Sequence, residues 1–180
     1  ALVALLGAIE GRPVVLAAST HDGEEAIVAE VHRRTALRVP RLLTILAPRH
    51  PARADSVESL LADRGLSVVR RTSGRLPGPE TDIYLADTLG EMGTLLSAAP
   101  VVFVGGSLVP HGGHNPIEPA QLCSAILFGP HMDTFRDIAR ELESAGGAMR
   151  VADGDALAEA VADLLVNRDR RRDMAEAALG

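Results

Sequence analysis

Val101-Val102-Phe103-Val104-Gly105-Gly106-Ser107-Leu108 runs on through Val109-Pro110-His111-Gly112-Gly113 into His114-Asn115-Pro116-Ile117-Glu118. The order of residue types in this stretch decides the fold class. Val101–Val104 is wholly apolar and mostly β-branched, which suits a strand buried on both faces, as in a parallel sheet. Two glycines end the run. Asn115 then suits a helix N-cap, Pro116 the first helical position and Glu118 the third. A strand, a polar loop and a helix start in that order are half of a βαβ unit.

The same alternation extends in both directions. On the N-terminal side, Val14–Ala18, Leu42–Ala47, Leu66–Val69 and Ile83–Ala86 read as strands. Between them lie helical patterns around Ala26–Val31 and Val57–Leu61, then a Gly- and Pro-rich loop over Ser73–Glu80, and a helix over Met92–Ala99 follows the last of them. On the C-terminal side, a helix runs from Pro116 to about Leu122, Ala125–Phe128 is a strand, Phe135–Ser144 is helical and Met149–Val151 is an edge strand. Ala156–Val166 and Arg170–Ala178 are two closing helices. Repeated βαβ units connect right-handedly and put helices on both faces. The expectation is one doubly wound, Rossmann-like α/β domain over residues 1–180 with a mostly parallel sheet.

Composition agrees. Of the 180 residues, 47% are hydrophobic but only 2% aromatic, so the core is built from Ala, Val, Leu and Ile. The net charge of −6 excludes the basic stripe of a nucleic-acid binder. The positive charge is carried by Arg, whose fork suits phosphate or carboxylate. The single cysteine, Cys123, rules out a disulfide framework and is expected to be a buried, inert thiol. No apolar run approaches the roughly 20 residues of a membrane span. Ala1–Ile9 is apolar but has neither a basic flank nor an initiating Met, so it reads as a segment of something longer rather than as a signal peptide.

Ligands of open α/β sheets bind beyond the carboxyl ends of the strands. His21, His50, His111, His114 and His131 all follow predicted strands, and only His32 falls in a helix. The pattern reads as a clustered site, against the plainer reading that loops are polar. Asn115 to Glu118 brings a helix N-terminus to that edge. Glu118 either bonds back to the cap or accepts hydrogen bonds from a vicinal diol. Thr88-x-x-Glu91 has the form of a capping box, which leaves Gly90 in the first turn without a helical reason. In Pro48-Arg49-His50-Pro51, two prolines stiffen a segment that presents Arg49. Asp22 and Glu25 form a possible cap pair, and His21 and Glu24 are possible ligand contacts. A metal is not expected, because His111 and His114 have no third ligand nearby in the sequence. A serine hydrolase is discounted for want of a Gly-x-Ser-x-Gly elbow.

Taken together, six segments resemble the bacterial 3-deoxy-D-manno-octulosonic acid (Kdo) transferases. They are Ser19-Thr20-His21-x-Gly23-Glu24-Glu25, Pro48-Arg49-His50-Pro51, Asp87-Thr88-x-Gly90-Glu91, Phe103 to Leu108, Gly112-Gly113-His114-Asn115-Pro116-x-Glu118 and Gly129-Pro130-His131. The resemblance implies the C-terminal half of a GT-B glycosyltransferase that holds the donor CMP-Kdo. It places the nucleotide on Pro48, Arg49, Leu89, Gly90, Glu91, Asn115, Pro116, Ile117 and Glu118. Ser19, His21, Glu24, Gly106, Ser107, Gly113 and His114 are additional candidates at the ligand edge. It also implies an inverting transfer without cofactor or metal, and no catalytic residue in this chain. The base, the lipid A precursor and the contact with the cytoplasmic face of the inner membrane would belong to an N-terminal domain. Rival readings are a UDP-sugar 2-epimerase or another GT-B enzyme, and a non-catalytic nucleotide-binding module.

Overall fold

The computed structural model describes residues 2–180. Seven strands form one sheet: β1 (Val14–Thr20), β2 (Leu43–Pro48), β3 (Val68–Arg70), β4 (Ile83–Leu85), β5 (Val101–Val104), β6 (Ala125–Phe128) and β7 (Ala148–Arg150). Their order is β3-β4-β2-β1-β5-β6-β7, and every neighbouring pair is parallel. The expected mostly parallel sheet is therefore wholly parallel. Its switch point lies between β1 and β5, which pair in register from Val15 opposite Val101 to Ala18 opposite Val104. From β1 the chain first builds one side of the sheet and then, from β5, the other.

Eight helices cover the sheet: α1 (Leu2–Ala8), α2 (Glu24–Ala36), α3 (Ala54–Asp63), α4 (Met92–Ala98), α5 (Ile117–Gln121), α6 (Arg136–Ala145), α7 (Gly154–Val166) and α8 (Arg168–Leu179). The period of two along the strands sorts their side chains. Val15, Ala17, Leu46, Phe103 and Leu127 face one way, into a core shared with α2, α3 and α7. Leu16, Ile45, Tyr84 and Val102 face the other, toward Leu5 of α1 and Leu95 of α4. Ile126 and Phe128 pack with Ala139 of α6 and Ala178 of α8. Phe103 is 1% exposed, and truncating such a residue costs about 3–5 kcal/mol.

At the N-terminal end, Leu5 and Ile9 are buried in the α1–α4 side of the core. The buried thiol expected at Cys123 needs correction. Cys123 is exposed, because the chain after α5 turns through a left-handed residue there, with φ 61°. α7 and α8 start with side-chain caps, Asp153 Oδ1 on the Ala156 amide and Asn167 Oδ1 on the Arg170 amide, at 2.9 and 3.0 Å. No helix among the described residues is long and apolar enough to cross a membrane.

Candidate functional site

The carboxyl ends of β4, β2, β1 and β5 lie side by side, so the loops that follow them share one edge. At the end of β1, Ser19 adopts a left-handed conformation (φ 59°) and the β1–β2 register shifts between Ala18 and Thr20. The end of β5 closes on this bulge. The Gly105 amide donates to the Ala18 carbonyl at 2.7 Å, and a Cβ on Gly105 would lie 2.3 Å from the Ser19 carbonyl oxygen. Only glycine fits there.

Glu24 ties the two loops together. Its carboxylate is fully buried and accepts from the amides of His21 (2.9 Å), Gly106 (2.7 Å), Ser107 (3.2 Å) and Leu108 (3.1 Å). The expectation that Glu24 contacts ligand is corrected, since all of its reach is spent on backbone. Ser107 is also internal: its hydroxyl donates to the Val104 carbonyl and accepts from the Gly129 amide. Gly113 is buried against Met132. Asp22 and Glu25 do not cap α2, whose cap position is Gly23 with φ 94°. Glu25 is buried in a two-pronged ion pair with Arg53 at 2.8 and 3.2 Å.

Three histidines from the two loops meet. His21 Nε2 lies 2.7 Å from His114 Nε2, and the rings of His21 and His111 stack at 3.7 Å between centroids. His50 meets His21 edge-on at 5.7 Å. His131 stands apart, held through its amide to the Ser107 carbonyl. The His114 pKa is pushed down to about 4, by burial first and then by His21, His111, Arg49 and His50. The absence of a third ligand near His111 and His114 is thereby corrected: His21, 93 residues from His114 in sequence, supplies it. His32 is unrelated; it is buried in α2 and bonds the Thr44 hydroxyl at 2.7 Å.

Arg49 follows β2, is exposed, and forms no ion pair among the described residues. Glu118 is exposed, with Oε1 3.7 Å from the position of a Cβ on Gly93. It makes no capping bond; Asn115 Oδ1 instead accepts from the Ile117 amide at 2.9 Å. The capping alternative for Glu118 is therefore not realised. With only five residues, and with its first amide already taken, α5 has little dipole to offer a ligand. Leu89 and Gly90 are exposed in the turn after β4. Gly90 has φ 78° and precedes α4 rather than lying in its first turn, which removes the helical objection to it. The Thr88–Glu91 capping box is not formed. Thr88 donates to the Glu91 carboxylate itself, which also pairs with Arg71 at 3.2 Å. The Thr88 bond, ahead of Arg71, holds Glu91 below its ordinary pKa.

This geometry carries known likenesses. The crystal structure of the C-terminal CMP-Kdo binding domain of WaaA from Acinetobacter baumannii superposes with a TM-score of 0.93 and 30% identity, over 98% of this chain and 93% of that one. The chain belongs to the Kdo transferase family. Curated Kdo transferases from Haemophilus influenzae and Bordetella pertussis are 38% and 41% identical, each over 93% of this chain. The chain spans about 40% of the length of those relatives. No family model matches it. The fold is thus that of the C-terminal half of the GT-B architecture, and the Kdo transferase loops named from sequence all fall on its switch-point edge.

Sequence reasoning missed one further element of this edge. Asp87 is buried and accepts from the Thr72 amide (3.0 Å), the Thr72 hydroxyl (2.6 Å) and Arg70 Nε (2.9 Å). Burial alone would raise its pKa, but the Thr72 and Arg70 bonds outweigh it and the carboxyl sits below its ordinary value. The signal was present in the Asp87-Thr88-x-Gly90-Glu91 segment. Its partners, Arg70 at the end of β3 and Thr72 just beyond it, lie 17 and 15 residues away, out of reach of any local pattern.

Proposed function

We propose that this chain is the donor-binding half of an inverting transferase that moves Kdo from CMP-Kdo to a lipid A precursor in lipopolysaccharide synthesis. The carrying observation is the pair of uncommitted charges on the switch-point edge. Among the described residues the Arg49 guanidinium has no partner, and Glu118 makes no cap. A guanidinium fork suits the single phosphate of CMP-Kdo, and a carboxylate with two free oxygens suits the ribose diol. The relatives' names support Kdo as the sugar, and the solved relative's CMP-Kdo supports cytidine as the nucleoside. As CMP departs, Arg49 stabilises the charge that develops on its phosphate. With one phosphate already esterified to the sugar, the donor needs no Mg²⁺ clamp. The acceptor, the base and the approach to the cytoplasmic face of the inner membrane belong to an N-terminal domain in this reading.

Calorimetric titration tests it. CMP binds in the millimolar range, about −4 kcal/mol, because half of the cleft is contributed elsewhere. Mg²⁺ leaves that affinity unchanged, and Arg49→Ala weakens it about tenfold. Tighter binding of UDP than of CMP would overturn the assignment.

A further inference from the structure

We propose that His21, His111 and His114 form a three-nitrogen site for a divalent transition-metal ion of the zinc type. One ligand nitrogen from each of the three side chains lies within 4.8 Å of the others. Three imidazoles around zinc at roughly 2.0–2.1 Å would stand about 3.3 Å from one another. The His21–His114 pair, now 2.7 Å apart, would open slightly and His111 would swing in. His111 is exposed and His21 and His114 are only half-buried, so ring rotations suffice.

The backbone beneath is already fixed. The Glu24 carboxylate holds the His21 amide and the amides of residues 106–108 at once, so the two halves of the site share one buried tie. Gly106 leaves the rings their room: a Cβ there would stand 3.1 Å from both His111 Nδ1 and His114 Cδ2. An all-nitrogen set selects zinc, cobalt, nickel or copper ions over magnesium or calcium, which prefer oxygen. Among the described residues no carboxylate joins the three rings, which leaves a fourth position for water or an oxygen of a bound ligand. Arg49, exposed directly after β2 on the same edge, would favour an anionic oxygen there.

The test is equilibrium dialysis of the metal-stripped chain against Zn²⁺, in a Cys123→Ser background so that the exposed thiol cannot bind. The expected result is one equivalent bound, at least tenfold weaker in His114→Ala and in His21→Ala and unchanged in His131→Ala. A chain that binds no Zn²⁺, or a His114→Ala variant that binds as well as its parent, overturns the proposal. Should the variants fail to fold, Co²⁺ added to the unaltered cluster decides. Intense visible bands of a four-coordinate ion support the site, and the weak bands of a six-coordinate ion overturn it.

Discussion

The carboxylate of Glu24 accepts a hydrogen bond from the Gly106 amide at 2.7 Å, joining segments 82 residues apart. Through three further amides it fixes the loop after β1 to the loop after β5, which is where the two halves of the sheet part. Glu24→Gln replaces one accepting oxygen by an NH₂ that faces N–H groups. It is expected to destabilise the chain by about 1.5–3 kcal/mol, read from urea unfolding at neutral pH. A change within about 0.5 kcal/mol would mean that water or relaxation can satisfy those amides, as it does for ordinary surface substitutions.

Glu118→Gln separates nucleotide binding from folding. Because Asn115 Oδ1, and not Glu118, holds the Ile117 amide at the start of α5, the substitution should leave the melting curve where it is. The affinity for CMP should fall about tenfold, about 1.4 kcal/mol, since a neutral amide accepts less strongly from a diol than a carboxylate does. Calorimetry and thermal unfolding on the one variant give both numbers, and a stability loss with unchanged affinity would restore the capping role.

Asp87 should show its worth in acid. Its folded pKa is lowered, so its contribution to stability is present above the unfolded value, about 3.9, and is lost as pH falls through the folded value. Asp87→Asn therefore costs about 1–3 kcal/mol at pH 7, by leaving Thr72 and Arg70 short of an acceptor. The gap between variant and parent narrows as pH drops below about 4. Denaturant unfolding across that range checks the sign: a gap that widens toward acid would contradict it.

How much of this was legible in the chain depends on what kind of signal each residue carries. Val101–Val104 and Ala125–Phe128 are strands because continuous apolar runs bounded by Gly or Pro have few other uses, and the structure returns them with those boundaries. Glycines and histidines after strands pointed to the edge on which His21, His111 and His114 meet. Partners were not legible. Glu24 looked available because it sits in a polar loop, yet its orientation is set by amides more than 80 residues away. Ser107 looked open for the same reason and is fully buried. Thr88 and Glu91 matched a local capping pattern, but Arg71, from another loop, captured the carboxylate. Local pattern fixes which element a residue belongs to; it does not say which distant group will claim its hydrogen bonds.

The same commitments bear on catalysis. In the proposed reaction a base must reach the acceptor hydroxyl, within about 2.6–3.2 Å. The loop after β1 and the first turn of α2 offer Asp22, Glu24 and Glu25. Glu24 is enclosed by four amides, and Glu25 is buried against Arg53. Asp22 is exposed and lies 3.5 Å from the Arg53 guanidinium, which competes with an acceptor hydroxyl for its oxygen. Glu118, the uncommitted carboxylate, is assigned to the ribose. Donor and acceptor must also be held together, which supplies much of the rate. The 180-residue chain incubated alone with CMP-Kdo and lipid A precursor is therefore expected to give no product by mass spectrometry. Addition of the N-terminal part of a Kdo transferase should restore transfer if the two parts associate. Turnover by the chain alone at the rate of a full-length relative would place the base among these residues, and Asp22 would be the first to test.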